Sequence, residues 1–400
     1  MKKQLLTTTA LVAAGAIALS GAAIAKPKIT IGGGAEQIIG IGSNEAAFDE
    51  ASGQRIGFDQ HSDGEIHFNG SVNLDNGIKI RTRVELESNS ADTTAGRNSN
   101  VINGAPGTAS NGAGAGSPDT IDEHWMRISG SFGEIRLGSG DPAGMAMTTG
   151  YLGTWSTGVG QLLAFDTTDW ISRPATVTAN QVGRVDLNSD AEHISYFTPR
   201  FNGFQVGVSY VPSAQEDVNN QRSLSGAADT DHWSFGVNYN GKFGGASVGV
   251  AAGYTFNNES AVDRDDDQVW GIGIRVDMQG IRVGMSFVDN DEQETISTGI
   301  SGANPGTNGQ EVFEMGVRYI FGPNAVSGTY QKSETTGTAG QASTSDETET
   351  MAVAYRRTLG PGVFWRVTAM FADYDDGLAG AAASNSNEGE ALTTSILVRF

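Results

Sequence analysis

Apolar residues occupy every second position over much of this chain. Ile78, Ile80, Val84 and Leu86 fall on one set of alternate positions, and charged residues fill the other set through residue 87. A repeat of two is that of a β-strand with one apolar and one polar face. The pattern therefore predicts a strand over residues 77–90.

A second alternating run lies just before this one, at residues 65–74, and Asp75-Asn76-Gly77 joins the two. An Asn-Gly pair supplies the positive φ angles of a tight turn, so the two runs predict a β-hairpin. Similar units recur to the C-terminus. The predicted strands are 28–41, 54–74, 77–90, 122–131, 134–140, 191–199, 203–212, 231–241, 245–257, 267–277, 280–290, 310–320, 325–335, 348–358, 362–375 and 388–400.

The connections between these sixteen predicted strands follow a regular order. Eight long polar connections alternate with seven tight ones, and the series begins and ends with a long one. All tight turns should then lie at one end of the sheet. Sixteen strands in this simple order have no free edge only if the sheet closes into a barrel.

Two architectures fit such strands, a soluble sandwich with apolar residues inside and a membrane barrel with apolar residues outside. Bulky charges occupy the centres of the polar faces, and aromatic residues stand near strand ends. These features favour an all-β, 16-stranded antiparallel transmembrane β-barrel with a wet interior. A secreted Gly-rich β-protein or adhesin is the alternative of a different class.

The N-terminus predicts export. Residues 1–25 begin with Lys2 and Lys3, continue through a short apolar stretch and end in Ala23-Ile24-Ala25, as a cleavable signal peptide does. A membrane anchor is the alternative, although the apolar run is shorter than the roughly 20 residues that a spanning helix needs. Residues 26–400 form one domain in this interpretation.

Composition excludes several classes of function. The 400 residues contain no Cys, which excludes a zinc finger, an iron-sulfur protein and a thiol enzyme. The formal net charge of −21 argues against a nucleic-acid partner, because such proteins present a basic face.

No strong metal motif stands in the sequence, and we expect no cofactor. The five His residues show no metal-ligand spacing, and Asp263, Asp265, Asp266 and Asp267 only weakly resemble a calcium loop. The alternative is that divalent cations bind loosely at the acidic external loops.

The alternating C-terminal run Leu392, Thr394, Ile396 and Val398, ending in Phe400, and the segment ISGSFGEIRLG at 128–138 resemble the general-diffusion porins of Gram-negative outer membranes. The resemblance implies a homotrimer of outer-membrane pores that pass ions and small hydrophilic solutes, surrounded by lipids and lipopolysaccharide. It also implies that the barrel-assembly machinery reads Phe400, and that the chain is not an enzyme. A substrate-specific porin would share these strands.

A barrel of this size needs narrowing. Sixteen tilted strands give a backbone diameter near 32 Å and leave roughly 20 Å between side chains. The third long connection, about residues 141–190, is unusually apolar for a loop, so we expect it to fold inward as a constriction loop carrying Asp166 and Asp169. An external cap or a trimer contact is the alternative. Asp141-Pro142-Ala143-Gly144 departs from the family's Pro-Glu-Phe-Gly-Gly motif.

The position of each charged residue along its strand, counted from the nearest tight turn, predicts which charges lie at the same depth in the membrane as those acids. A tilted strand climbs about 2.5 Å per residue, which places mid-membrane roughly five residues from a tight turn. The sequence thus predicts a basic wall of Lys79, Arg81, Arg83 and Arg127. In the alternative reading, these arginines merely pair with acids on neighbouring strands.

A second basic group lies nearer the tight turns. The members predicted to ring the periplasmic exit are Arg275, Arg282, Arg318, Arg356 and Arg366. Net charge alone favours a mild preference for cations.

Overall fold

A computed structural model of the chain describes residues 26–53, 57–87, 121–161, 166–174, 176–177, 183–187, 190–213, 230–257, 268–291, 308–338, 341–377 and 382–400. These residues form sixteen antiparallel strands in a closed barrel, in which each strand pairs with its neighbours along the chain and β1 pairs with β16. The predicted fold class is confirmed. The signal-peptide prediction for residues 1–25 and the cluster Asp263, Asp265, Asp266 and Asp267 lie outside the described residues.

The strands agree closely with the predicted spans. Their bounds are β1 Lys28–Asn44, β2 Phe58–Asn73, β3 Lys79–Glu87, β4 Ile121–Gly130, β5 Gly133–Gly138, β6 His193–Phe197, β7 Phe204–Ser213, β8 Thr230–Phe243, β9 Ala246–Phe256, β10 Gln268–Met278, β11 Ile281–Asp291, β12 Asn308–Phe321, β13 Asn324–Thr338, β14 Gln341–Gly360, β15 Val363–Asp375 and β16 Ser386–Arg399.

The apolar face of the sheet points outward. Phe68, Val237 and Ile274 are 42%, 38% and 41% exposed, whereas a sandwich would seal them between two layers. The intervening positions do not face the outside. They hold small and polar residues that are buried, such as Ser209 and Ser234. Because the sheet is closed, those positions line the interior of the barrel.

The tight turns lie where the sequence predicts them. Gly77, in the Asn-Gly pair between β2 and β3, has φ +84°, and Gly280, between β10 and β11, has the same value. Glycine adopts this region without the steric cost of a Cβ atom, so these residues allow the strands to reverse within a few residues.

One connection contradicts the sequence-based prediction. A long polar connection was expected between strands 325–335 and 348–358, but β13 runs to Thr338 and β14 begins at Gln341. A polar cross-strand pair supports the extended ladder, since Lys332 Nζ on β13 lies 3.0 Å from a Glu347 carboxylate oxygen on β14. The same Nζ lies 2.9 Å from a carboxylate oxygen of Glu334 on its own strand. Thr-rich polar sequence favours an extended strand as well as a loop, which explains the error.

The described helices are short. α1 is Ala46–Ser52, α2 is Ala143–Thr148 and α3 is Gly153–Thr157, with a 3₁₀ turn at Thr149–Tyr151 between the last two. None of the helices within the described ranges has the length and apolar character needed to cross a membrane. Both α2 and α3 belong to the third long connection, between β5 and β6.

Candidate constriction site

The third long connection runs along the inner wall of the barrel. Its backbone N–H groups donate hydrogen bonds to inward-facing side chains on β7, β8, β11, β13 and β15, and to the last residue of β1. The pairs are Ala143 with Ser209 (2.7 Å), Gly144 with Ser234 (2.8 Å), Gly153 with Ser286 (2.8 Å), Val159 with Ser327 (3.1 Å), Gln161 with Thr368 (3.2 Å) and Ser172 with Asn44 (2.9 Å). We call residues 141–161 and 166–174 of this connection the constriction loop.

The barrel wall caps the helices of the constriction loop. The residues before α2 and α3 are Pro142 and Leu152, and neither contributes a side-chain cap. A helix N-terminus leaves backbone N–H groups without partners, so a buried helix end needs acceptors from elsewhere. Hydroxyls on β7, β8 and β11 supply them in the pairs given above. These contacts explain why polar residues are buried on the inner wall.

Glycines on the wall make room for the loop. A Cβ atom at Gly236 would lie 2.5 Å from the backbone oxygen of Ala143, and one at Gly273 would lie 2.6 Å from that of Tyr151. Both distances are shorter than van der Waals contact permits. Glycine at these inward positions therefore lets the loop backbone lie directly on the sheet.

The C-terminal end of the constriction loop is fixed on β1, β2 and β16. The Trp170 ring stacks on His61 with a centroid distance of 4.4 Å and covers Gly40. Ile171 is fully buried against Gly389. The loop thus contacts the wall at points along its described length, and its role as a constriction stays a prediction.

All four predicted basic-wall residues lie on the inner face of β3 and β4. Arg81 and Arg127 are directly opposite in the strand register, and Lys79 and Arg83 occupy the neighbouring inward positions of β3. Trp125 lies between two of the guanidinium groups, 3.8 Å from Arg127 Cζ and 5.3 Å from Arg83 Cζ. The height argument therefore selected residues that meet in space.

Sequence reasoning missed Arg136. This residue on β5 is opposite Arg127 in the register and extends the basic wall to a third strand. Its Nε atom is 2.7 Å from a Glu134 carboxylate oxygen, and Arg81 Nη2 is 2.9 Å from the other. Because Arg136 shares alternate positions with Glu134 and lies four residues from Phe132, the height argument applied to β5 would have found it.

The basic wall and the predicted loop acids have different nearest partners. Asp169 Oδ2 lies 3.7 Å from His61 Nδ1 on β2, and Asp166 interacts electrostatically with Arg366 on β15. Arg83 Nη1 instead lies 3.1 Å from Glu85 Oε2 and 3.6 Å from Glu123 Oε2. Ion pairs within the wall therefore account for part of its charge. The roles of Asp166 and Asp169 at a constriction stay predictions.

The second basic group contacts the constriction loop. Arg275 Nη1 donates to the Gly150 backbone oxygen at 2.6 Å, and Arg282 Nη1 donates to that of Ser156 at 3.1 Å. The register places Arg318 opposite Arg282. In the same way, Arg356 on β14 lies directly opposite Arg366 on β15. These arginines lie between the loop and the tight-turn end of the barrel.

Acidic groups gather where the constriction loop leaves β5 and returns to β6. Carboxylate oxygens of Glu123, Asp141 and Asp190 lie within 4.8 Å of one another. Burial, and secondarily the neighbouring Glu123, raises the pKa of Asp141 to about 6. Burial, and secondarily Asp122, raises the pKa of Asp190 to about 9. This acidic cluster, Glu123, Asp141 and Asp190, therefore gains negative charge as pH rises through these values.

Comparison with known proteins agrees with this architecture. A family model described as Gram-negative porin matches residues 7–377. The outer membrane porin protein 32 of Delftia acidovorans is 29% identical over 259 residues, which cover 64% of this chain. The match spans 63% of that relative's length.

Solved structures share the fold at low sequence identity. The anion-selective porin from Comamonas acidovorans aligns with a TM-score of 0.61 and 15% identity, covering 94% of this chain and 100% of that one. OmpF of Salmonella typhi, in a complex with daunomycin, aligns with a TM-score of 0.59 and 11% identity, covering 93% and 98%. With a closed sixteen-stranded barrel, an outward apolar face and a family match over most of its length, this chain belongs to the Gram-negative porin family.

Proposed function

We propose that this chain forms a water-filled channel for the passive diffusion of ions and small hydrophilic solutes across the outer membrane, where its family locates it. The proposal rests on one observation: the barrel is apolar on its outer face and charged on its inner face, the opposite of a soluble protein, and a loop lies against its inner wall. Such a lumen is too wide to be filled by side chains of the strands alone. Movement down a gradient makes and breaks no bond, so we assign no catalytic role to any residue.

We further propose that the channel prefers anions. The basic wall holds Lys79, Arg81, Arg83, Arg127 and Arg136 against the acids Glu85, Glu123 and Glu134. The second basic group adds five arginines with Asp277 and Glu36 as their close acids. Both basic groups thus hold more bases than close acids, and an excess of one sign of charge at the wall concentrates ions of the opposite sign. This proposal reverses the cation preference that net charge favours, and the name of the Comamonas acidovorans porin agrees with it.

The field at the narrow part also selects among neutral solutes. Cations on β3–β5 face a pore that we propose is bounded on other sides by Asp166 and Asp169. A transverse field orients dipolar solutes and holds water in order, so an apolar solute that displaces this water enters less easily.

Reconstitution in planar bilayers tests the channel and its selectivity together. We expect stepwise conductance and a reversal potential that reports anion preference in a salt gradient. Arg127→Gln should shift the reversal potential in the direction of greater cation permeability, because it removes a positive charge from the basic wall. Lys242→Gln, at the tight-turn end of β8, is the matched control and should change it less. An absence of conductance steps contradicts the proposed channel. A reversal potential that is the same in Arg127→Gln and the parent contradicts the role of the basic wall.

Saturable block by a sugar or an organic anion would instead identify a substrate-specific porin, the second possibility from the sequence. Conductance measured at rising solute concentrations separates the two. A general-diffusion channel should show a current that falls only in proportion to solution viscosity.

We also propose the partners of the assembled protein. Residues 1–25 are removed on export, the outer face contacts lipid and lipopolysaccharide, and three copies assemble. Phe400, whose N–H donates to the Gly33 backbone oxygen at 3.1 Å, presents its exposed side chain to the assembly machinery. Deleting Phe400 should lower the yield of heat-resistant oligomer in outer-membrane fractions, while Leu359→Ala, which shortens another exposed side chain, should leave the yield unchanged.

A further inference from the structure

Three potential metal ligands meet on the inner wall beside the basic wall. β2 places Glu65 and His67 two residues apart on its inner face, and the strand register sets Glu85 of β3 directly opposite His67. His67 Nε2 lies 3.1 Å from Glu65 Oε1 and 3.1 Å from Glu85 Oε2. One ligand atom from each of the three residues lies within 4.8 Å of the others.

These separations fit a single metal ion. With metal–ligand distances of about 2.0–2.2 Å, adjacent ligand atoms lie about 3.0 Å apart in octahedral and about 3.4 Å apart in tetrahedral coordination. Both measured separations from His67 fall in that interval. Side chains would therefore need only small rotations to point at a common centre.

The surroundings support a ligand role for His67. Its Nε2 atom is enclosed, and Glu65 and Glu85 each bring a carboxylate oxygen to it. The side chains of His67 and Glu85 are 15% and 7% exposed, whereas Glu65 is 44% exposed. Two ligands are thus held by the wall, and Glu65 leaves an open side for an ion to enter from the lumen.

Arg83 competes with a metal ion at this place. Its Nη1 atom lies 3.1 Å from the same Glu85 Oε2 atom that faces His67. Arg83 has other partners, because its Nη1 is 3.6 Å from Glu123 Oε2 and its Nε is 3.3 Å from Asn69 Oδ1. An ion could therefore displace the Arg83–Glu85 contact without leaving the guanidinium unpaired.

We propose that Glu65, His67 and Glu85 bind a divalent transition-metal ion, Zn²⁺ above all, and that the bound ion alters ion flow through the channel. One imidazole nitrogen with two carboxylate oxygens suits Zn²⁺, while Mg²⁺ and Ca²⁺ prefer oxygen ligands alone. The flow part of this proposal rests on the proposed function. Two added positive charges beside Arg83 would strengthen the basic wall and favour anions further.

Isothermal titration calorimetry on the detergent-purified full chain tests binding independently of any channel. We expect one Zn²⁺ per chain, and His67→Gln and Glu85→Gln should each weaken binding by at least about tenfold. Arg83→Gln should tighten it, since the competing cation is removed. His124→Gln, which changes an exposed histidine on β4, is the matched control and should bind as the parent does. Equal binding by His67→Gln and the parent overturns the site, as does equally tight binding of Mg²⁺.

Bilayer recordings then test the effect on flow. Adding ZnCl₂ to the parent channel should shift the reversal potential toward anions, and the same addition to His67→Gln should not. If calorimetry shows the site but recordings from active channels show no zinc effect, the flow part is overturned. If no channel forms at all, the proposed function fails while the binding result stands.

Discussion

The hydrogen bond between Thr154 and Glu314 offers a direct test of how the constriction loop is held. Thr154 Oγ1 donates to Glu314 Oε1 at 2.9 Å, and the Thr154 N–H reaches Oε2 at 3.4 Å. Ser286 Oγ donates to the same Oε2 at 3.0 Å while it accepts from the Gly153 N–H. Glu314 is completely buried. A substitution at Thr154 therefore perturbs the fixation of the loop without touching the lumen.

Thr154→Val keeps the shape of the side chain and removes the donor. Removing the donor leaves a buried Glu314 oxygen without this partner, which costs about 1–3 kcal/mol, and we take about 2 kcal/mol for this enclosed pair. At 1.4 kcal/mol per factor of ten, the loop should open about 30 times more often. The barrel ladder does not depend on this contact, so global unfolding should change little.

Hydrogen exchange reads this opening directly. Amides of Gly153, Thr154 and Val159 exchange only when the loop leaves the wall, so their rates should rise about 30-fold in Thr154→Val. Thr154→Ser retains the hydroxyl and should restore most of the protection. Amides in β8 and β9 serve as internal references and should be unchanged. Loop amides that exchange within about threefold of the parent rate would refute the view that Glu314 anchors the loop.

Two further outcomes follow from the wall and the acidic cluster. Gly273→Ala places a Cβ atom 2.6 Å from the Tyr151 backbone oxygen, an overpacking that should cost about 1–3 kcal/mol and push the loop toward the lumen. Single-channel conductance should therefore fall. Gly328→Ala, where the new Cβ atom has no neighbour within 4 Å, is the control and should leave conductance unchanged. Raising pH ionises Asp141 at about 6 and Asp190 at about 9, so the reversal potential should move toward cations in two steps. Asp190→Asn should lack the upper step, and its persistence in that variant would contradict the assignment.

The strand pattern of this chain was readable because a two-sided sheet forces alternation. Each strand from β1 to β16 separates lipid from water, and the sequence records this as apolar and polar positions. The error between β13 and β14 has the same origin, since beyond the membrane neither face needs to be apolar. There, threonine-rich sequence carries no signal that separates a strand from a loop.

The constriction loop could be predicted as an inward segment but not traced. Its apolar residues indicate burial, yet the wall residues that fix it, such as Ser286 and Glu314, look like any other polar positions of a strand. Their role depends on which loop amide comes within hydrogen-bond reach, and that is set by the curvature of the closed sheet. The need for glycine at residue 273 is understood only once the Tyr151 backbone is known to pack against it.

The sequence by itself determined the number of strands, their inward and outward faces and the basic residues on β3 and β4, because each of these follows from local periodicity and distance from a turn. Tertiary structure alone decided which charges meet. Glu65 and His67 share a face of one strand, which the sequence shows, but Glu85 is eighteen positions from His67. Strand register brought the three together, since pairing across a sheet converts positions distant along the chain into neighbours about 5 Å apart.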